Sequence, residues 1–208
     1  MPEPIATALL LLAPLIGAYL IGSIPFGLVL TRVAGLGDIR GIGSGNIGAT
    51  NVLRTGRRGL ALATLLLDGA KGTLAVLIAH RIGNAIAPQF GWEYIAAIGA
   101  VLGHVFPVWL KFKGGKGVAT ALGVFIGLSP ILGIAAAIAW LVAAGLSRMS
   151  SVGGMVAVLA GPAYAIVESR QTLGMTTAVI AALVIARHRD NIRRLVTGTE
   201  PKIGASKH

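Results

Sequence analysis

Long apolar runs separated by short polar segments dominate the hydrophobic pattern of this chain. The runs are apolar on every face, whereas the strands of a membrane β-barrel alternate apolar and polar residues. About 20 apolar residues allow a helix to cross a bilayer. The pattern therefore predicts an all-α integral membrane protein of about seven transmembrane helices, with spans near residues 5–30, 59–82, 92–110, 153–167 and 173–187 and two more between 118 and 146.

Basic residues decide how many spans lie between Val118 and Leu146. The stretch is long for one span, and Pro130 divides it into two pieces, of which the first is unusually short. Two spans place most of the 18 basic residues on one side, which by the positive-inside rule is the cytoplasm. We therefore predict a single polytopic membrane domain over residues 1–208, with the N-terminus outside and the C-terminus cytoplasmic. Residues 196–208 are predicted to form a polar, loosely ordered cytoplasmic tail.

Composition agrees with a membrane protein, since 55% of the residues are hydrophobic, 12% are charged and the mean hydropathy is +0.82. A soluble domain carries about a quarter charged residues. The formal net charge of +11 belongs to loops and ends, where it can attract anionic lipids or anionic substrates. The chain has no cysteine and its 4 histidines are scattered, so we predict no metal site and no cofactor.

The first polar segment, from Arg40 to Arg58, is rich in glycine and arginine. Uncrowded backbone N–H groups and guanidinium groups both suit a phosphate dianion, so the segment predicts a phosphate site. The alternative is a flexible loop whose arginines only follow the positive-inside rule. Such a loop does not require the hydroxyl and amide side chains that lie among the glycines, which are Ser44, Asn46, Thr50 and Asn51.

A second glycine-rich segment, KFKGGKG, follows the third predicted span. Gly114 and Gly115 end the helix and bring Lys113 and Lys116 close to a new helix start. Helix N-termini attract anions, and a nearby lysine adds a full charge. The alternative is a lysine loop that only anchors the protein at the membrane surface.

Two further polar segments lie late in the chain. Ser150 and Ser151 offer hydroxyl groups at a turn, and His188 and Asn191 share a helical face just after the last span. Arg194 and its neighbouring arginines are expected to point mostly elsewhere, as lipid-binding residues would. A purely basic anchor would not require His188 and Asn191 on one face.

Asp68, Lys71 and His104 are ionisable residues predicted inside spans. Asp68 and Lys71 are three residues apart and so lie on one helix face. Charges at this depth normally face the interior of the bundle, and an ion pair that holds helices together is favoured over a chemical role. For His104, a hydrogen bond to a neighbouring helix is favoured over a role as catalytic base.

Three long motifs occur in order along the chain: SGNIGATNVLRTGR at 44–57, GHVFPVWLKFKGGKGVAT at 103–120 and HRDNIRRLVTGTE at 188–200. Together they closely resemble motifs of the bacterial acyl-phosphate:glycerol-3-phosphate acyltransferase family. GSIPFG at 22–27 and LDGAKG at 67–72 look like accompanying segments of that family. The resemblance covers nearly the whole chain.

The resemblance implies an enzyme of the bacterial inner membrane with its active site on the cytoplasmic side. Such an enzyme moves a fatty acyl group from acyl phosphate to the 1-hydroxyl of glycerol 3-phosphate. The products are lysophosphatidic acid and inorganic phosphate, in the first acylation of phospholipid biosynthesis. The implied partners are both substrates and membrane lipids, without nucleic acid, and a contact with the enzyme that produces acyl phosphate is left open.

The same resemblance assigns roles to residues of this chain. Phosphate would be bound by Ser44, Gly45, Asn46, Gly48, Ala49, Thr50, Asn51, Arg54, Gly114, Gly115 and Lys116. Catalysis would depend on His188, Asn191, Ser150, Ser151 and Lys113. Supporting roles would fall to His104, Asp68, Lys71 and Glu200.

The identity of the base that accepts the hydroxyl proton is left open at this point. Phosphate leaves a mixed anhydride readily, so the reaction chiefly needs positioning and charge neutralisation. We favour a substrate phosphate as the base over His188. An anion transporter could use the same cationic loops, but it predicts polar groups that continue to the outer face, where the sequence shows few. A structural membrane anchor would leave the Ser, Asn, Thr and Gly pattern unexplained.

Overall fold

The computed structural model of the protein describes residues 4–43 and 45–204, and every regular element in this part of the chain is helical. Three short 3₁₀ turns lie between the α-helices, at Ile39–Gly41, Pro88–Phe90 and Val108–Leu110. The α-helices are α1 Pro4–Gly22, α2 Phe26–Val33, α3 Ala49–Leu53, α4 Arg58–Ile86, α5 Trp92–Val105, α6 Val118–Leu128, α7 Pro130–Ser147, α8 Ser150–Val167, α9 Gln171–Arg187 and α10 Arg189–Val196.

Five stretches are long and apolar enough to cross a membrane. They are Ala8–Val33, Arg58–Ile86, Trp92–Leu110, Pro130–Ser147 and Ser150–Val167. Two shorter apolar helices, α6 and α9, accompany them. The all-α class is therefore confirmed, whereas seven spans and the orientation of the termini stay predictions.

The first predicted span is broken near its C-terminal end. The helix α1 ends at Gly22 and α2 begins at Phe26, because Pro25 has no N–H group and disfavours a helical conformation in Ile24. At the break, Gly22 lies so close to the backbone of Ala100 that no side chain would fit. The apolar pattern alone does not reveal this break.

The predicted division at Pro130 is confirmed, since α6 ends at Leu128 and α7 begins at Pro130. Proline suits the first turn of a helix, where its missing N–H group has no partner to lose. The hydroxyl of Ser129 accepts a hydrogen bond from the backbone N–H of Leu132 over 3.4 Å, which caps α7.

Glycines allow the helix pairs to pack closely. Gly99 and Gly103 of α5 lie against the carbonyl oxygens of Leu15 and Tyr19 in α1. In the same way, Gly123 of α6 lies against the backbone of α4. Small residues at helix contacts are typical of membrane bundles, where association depends on close packing more than on burial of apolar area.

Successive long helices run in opposite directions, so all the polar motifs lie at one end of the bundle. This end, which we call the polar end, carries the segments 34–43, 45–57, 106–117, 148–151 and 188–204. The opposite end carries short connections, among them the one in which the guanidinium of Arg170 donates to the hydroxyl of Tyr94 over 3.2 Å.

Candidate functional site

A hydrogen-bonded cluster at the polar end joins residues that are far apart in sequence. The ammonium group of Lys116 donates to the side-chain oxygen of Asn191 over 2.5 Å. The Asn191 amide donates in turn to the Glu200 carboxylate over 2.6 Å. The same carboxylate oxygen accepts from the hydroxyl of Ser151 over 2.5 Å. We call these four residues the Glu200 cluster.

The turn after α10 places Glu200 in this cluster. Gly198 has a φ of +70°, a conformation that favours glycine, and it lets the chain fold back after the helix. The backbone N–H of Ile203 donates to the carbonyl of Arg148 over 2.7 Å, which fastens the returning segment to the start of α8. The central position of Glu200 is not visible in the sequence, because a lone acidic residue in a basic tail shows no periodic pattern.

Arg194 does not point away from the site as expected. Its Nε donates to the second carboxylate oxygen of Glu200 over 2.8 Å. The expectation was wrong because the turn at Gly198 brings a carboxylate beside α10. The neighbouring Arg189 and Arg193 are exposed, as expected.

Burial and hydrogen bonding set the charges of the Glu200 cluster. Burial acts to raise the pKa of Glu200, but the hydrogen bonds from Ser151, Asn191 and Arg194 outweigh it and hold this pKa below its usual range. Burial lowers the pKa of Lys116 to about 8, against the opposing attraction of Glu200. The cluster thus holds a fixed anion beside a cation that loses its proton in mildly basic solution.

His188 lies at the junction between α9 and α10 and is only 2% exposed. Its Nδ1 lies 2.7 Å from the carbonyl oxygen of Val184, so Nδ1 carries the proton and Nε2 keeps its lone pair. Burial lowers the pKa of His188, which keeps the ring neutral at neutral pH. Its Nε2 lies close to Gly154 in the first part of α8.

Residues 113–117, which we call the KGGKG loop, are held in place by the end of α5. The N–H groups of Gly115 and Gly114 donate to the carbonyls of His104 and Val105 over 3.0 and 3.2 Å. The His104 ring lies directly against Gly115, and an added Cβ there would collide with it. Lys116 is consequently directed into the Glu200 cluster, whereas Lys113 is exposed.

The first glycine-rich segment contacts the rest of the site through Thr50, whose hydroxyl lies 3.2 Å from that of Ser150. The side-chain oxygen of Asn46 accepts from the N–H of Gly48 over 3.2 Å. Asn51 is buried and donates to the carbonyl of Ile39 over 2.9 Å, so it braces the segment. Of the other predicted phosphate-binding residues, Arg54 and Gly45 are exposed, Ala49 is partly buried, and Ser44 lies outside the described residues.

An open cleft of about 690 Å³ lies beside this segment. Three of its lining residues, Gly45, Lys113 and Gly114, were predicted as site residues, whereas Arg40 and Arg187 were not. Arg187 could have been suspected only from its position directly before His188. The lining includes Asp38, Arg40, Phe112, Lys113, Gly114 and Arg187.

Asp68 and Lys71 form a buried ion pair over 2.7 Å, in line with the favoured structural interpretation. The ammonium group of Lys71 also donates to the carbonyl of Ile24 over 2.7 Å, at the break between α1 and α2. Nδ1 of His104 lies 3.7 Å from the Asp68 carboxylate. The ion pair therefore contacts both the break in the first helix, through Lys71, and His104, which holds the KGGKG loop, through Asp68.

Replacing Lys71 by methionine is expected to lower the free energy of unfolding by about 3–5 kcal/mol, because it leaves the buried Asp68 carboxylate without its cation. The double variant Asp68→Asn/Lys71→Met should lose less, since no unpaired charge remains. Equilibrium unfolding in detergent measures both. A single variant as stable as the double variant would contradict this account of the pair.

Among residues 4–43 and 45–204, no three His, Asp, Glu or Cys side chains come close enough together to hold a metal ion. The described part of the site offers cations, hydroxyl groups, amides, the carboxylates of Asp38 and Glu200 and one neutral imidazole. Such a set can bind anions and orient a hydroxyl group.

Comparison with known proteins identifies similar chains. A family model described as glycerol-3-phosphate acyltransferase matches residues 12–198. The glycerol-3-phosphate acyltransferase of Paramagnetospirillum magneticum is 52% identical over 198 residues, which cover 95% of this chain and 96% of that protein. The protein of the same name from Brucella canis is 53% identical over 205 residues, which cover 99% of each.

Solved structures resemble the fold as well. A crystal structure of PlsY (YgiH), an integral membrane glycerol 3-phosphate acyltransferase in its glycerol 3-phosphate form, is 38% identical with a TM-score of 0.85. The match covers 93% of this chain and 96% of that one. The lysophosphatidic acid form of PlsY matches with a TM-score of 0.83 over 93% and 95% of the two chains.

Proposed function

Because this chain belongs to the glycerol-3-phosphate acyltransferase family, we propose that it acylates the 1-hydroxyl of glycerol 3-phosphate with acyl phosphate as the donor. The resemblance of the three motifs to this family is confirmed. PlsY has been crystallised with glycerol 3-phosphate and with lysophosphatidic acid, which supports the same acceptor and product here. The proposed products are lysophosphatidic acid and inorganic phosphate.

The observation that carries the proposal is the Glu200 cluster. Ser151, Asn191 and Arg194 donate to one carboxylate at the polar end, and Lys116 from a separate segment joins them through Asn191. A membrane loop that only followed the positive-inside rule would not need a buried acceptor for three donors. We propose that Lys116 and Ser150, with the first glycine-rich segment through Thr50, hold the phosphate of glycerol 3-phosphate.

The proposed reaction forms one ester bond and breaks one anhydride bond. The 1-hydroxyl oxygen attacks the acyl carbon, the bond from that carbon to the phosphate oxygen breaks, and the hydroxyl proton passes to a phosphate. Phosphate is a good leaving group, so the chain supplies chiefly orientation and positive charge. Lys113 and Arg54 are exposed cations that can neutralise the departing phosphate.

The geometry of His188 supports a substrate phosphate as the base. The ring is buried, Nδ1 is bound to the Val184 carbonyl, Nε2 lies close to Gly154, and His188 is not among the residues that line the open cleft. We propose that His188 and Asn191 position the acceptor site, and that the phosphate takes the proton. A very large loss of turnover in His188→Ala, with glycerol 3-phosphate binding intact, would contradict the phosphate as base.

The shifted pKa of Lys116 gives the proposed reaction a dependence on pH. With a pKa of about 8, Lys116 is mostly charged at pH 7 and mostly neutral at pH 9. The KM for glycerol 3-phosphate is therefore expected to rise as the pH increases through 8, because a neutral amine attracts phosphate less. In Lys116→Arg the side chain stays charged, so this rise should be much smaller. Equal profiles in both proteins would contradict the assignment.

The donor is tested by acyl transfer with the purified protein. Labelled glycerol 3-phosphate is offered with palmitoyl phosphate or with palmitoyl-CoA, and Arg54→Ala serves as a variant of the phosphate segment. Lysophosphatidic acid from palmitoyl phosphate alone is the expected result. Product from palmitoyl-CoA alone would keep an acyltransferase but overturn the proposed donor.

We also propose one polytopic domain in the bacterial inner membrane, with seven spans and the polar end in the cytoplasm. The chain has no cysteine, so single cysteines can report the side of each loop. Thr197→Cys is expected to react with an impermeant thiol reagent only after the membrane is opened, and Ser169→Cys before it. The reverse pattern would overturn the orientation.

A further inference from the structure

We propose that Arg187 binds the phosphate of the acyl donor and that the donor's acyl chain lies in an apolar groove between α1 and α5. This inference rests on the proposed function and adds to it the place of the donor and the residues that select its chain length. It assigns the site to a phosphate-headed amphiphile.

The charge of Arg187 is not compensated within the described residues. Its Nε is buried and has no hydrogen-bond partner there, and no carboxylate of the described chain lies within ion-pair distance. By contrast, Arg40 pairs with Asp38 over 2.6 Å and Arg194 pairs with Glu200 over 2.8 Å. A partly buried guanidinium without a counter-ion, in the wall of an open cleft, points to an anionic ligand.

An aromatic ring fixes the guanidinium of Arg187 in this position. Its central carbon lies 5.6 Å from the centre of the Phe106 ring, which is a cation–π arrangement. The carbonyl of Phe106 accepts a hydrogen bond from the hydroxyl of Tyr19 over 2.7 Å. Arg187 is thus held against the wall formed by α1 and α5.

That wall contains an apolar groove of about 360 Å³ without a polar surface. It exists because Gly99 and Gly103 bring α5 against α1, so that the larger side chains lean outward on either side of the contact. Its lining consists of Leu15, Ile16, Tyr19, Leu102, Phe106 and Phe112.

The groove and the cationic cleft meet at Phe112. This residue lines both of them, and it has a φ of +63°, which a phenylalanine rarely adopts. Phe106 lines the groove, and its ring contacts the guanidinium of Arg187, which lines the cleft. An apolar tail and an anionic head are therefore accommodated side by side, as acyl phosphate requires.

The depth of the groove gives it a selective role. Leu15 and Leu102 each lie one helical turn, about 6 Å, farther from the polar end than Tyr19 and Phe106. Ile16 is 54% exposed, so the groove is open on the side of the helices that faces lipid and a chain can enter from the bilayer. Each methylene that is prevented from entering weakens binding by about fourfold.

Separate titration of the two substrates tests the role of Arg187. In Arg187→Gln the KM for palmitoyl phosphate is expected to rise by roughly tenfold or more, with a smaller rise in Arg187→Lys, which keeps the charge. The KM for glycerol 3-phosphate should stay within about twofold, which a general loss of structure would not produce. Equal changes in both KM values, or none, would overturn the proposal.

Product inhibition separates the two phosphate-headed ligands of this enzyme. Weaker inhibition by lysophosphatidic acid in Arg187→Gln, with an unchanged KM for palmitoyl phosphate, would assign the site to the product and overturn the proposal. If the wild-type protein formed no product from palmitoyl phosphate, the proposed function would fail instead. The two failures are therefore distinct.

A second pair of variants tests the groove itself. Leu15→Trp fills its deep end and should raise the KM for palmitoyl phosphate by about tenfold more than that for octanoyl phosphate. Leu12→Trp makes the same change on an exposed part of α1 outside the groove and should leave the preference unchanged. Leu15→Ala, which enlarges the groove, should shift the preference toward longer chains. The same preference in all four proteins would overturn the assignment of the groove.

Discussion

Asn191→Asp is expected to lower acyl transfer by about two orders of magnitude in a protein that still folds. The Asn191 amide now donates to Glu200 over 2.6 Å, and a carboxylate in its place would face a second carboxylate. Loss of this bond together with like-charge repulsion amounts to about 3 kcal/mol, which is about a hundredfold in rate. An Asp side chain still has an oxygen that can accept from Lys116, so the result isolates the contact between Asn191 and Glu200. Initial rates with palmitoyl phosphate and labelled glycerol 3-phosphate give the measurement.

Asn84→Asp provides a matched control. Asn84 is exposed, and its amide hydrogen-bonds to the His80 ring over 3.0 Å. The same chemical change should leave the rate there close to that of the wild-type protein. A thermal unfolding curve for each variant checks that the fold is retained. If Asn191→Asp were as active as Asn84→Asp, the Glu200 cluster would not be needed for the reaction.

Gly115→Ala is expected to have a comparable effect through the position of Lys116. An added Cβ would collide with the His104 ring, which is 4% exposed and cannot move aside without disturbing the buried pair of Asp68 and Lys71. The loop must therefore shift and carry the ammonium group of Lys116 with it. A misplacement of about 1 Å can reduce a rate by about a hundredfold. The kcat and both KM values should be measured.

Gly59→Ala is the control for this change. Gly59 lies in α4 with open space around its Cα, so alanine should fit without a collision. Alanine also favours the helix, and stability should rise by up to about 1 kcal/mol. Full activity in Gly115→Ala would show that His104 does not fix the loop.

Local patterns allowed much of the fold to be predicted from the sequence. The apolar runs predicted the helices, Pro130 predicted the division between α6 and α7, and the three motifs predicted the family. These features are set by neighbouring residues: a proline interrupts helical hydrogen bonds wherever it lies, and an apolar run needs a nonpolar environment. The break at Pro25 follows the same rule, yet it lies inside an apolar run that hides it.

The partners of the polar side chains were decided by the tertiary structure alone. The sequence marked Asn191 and Lys116 as candidates, but their contact joins positions 75 residues apart, and that of Ser151 with Glu200 joins positions 49 apart. Asn51 belongs to a predicted phosphate segment and yet braces its own loop against Ile39. Arg187 ends an apolar helix and yet lies in the wall of the cleft.

The physical reason is that helices depend on residues close together in the sequence, whereas side-chain contacts in the site depend on segments that are far apart in it. Helix formation and membrane partition depend on residues within a few turns, so the sequence by itself determined the helical membrane fold and the segments that carry polar groups. The direction of a side chain after a turn depends on how glycines such as Gly99, Gly103 and Gly198 let whole segments approach or reverse. Only the packed bundle therefore decided which of these groups meet.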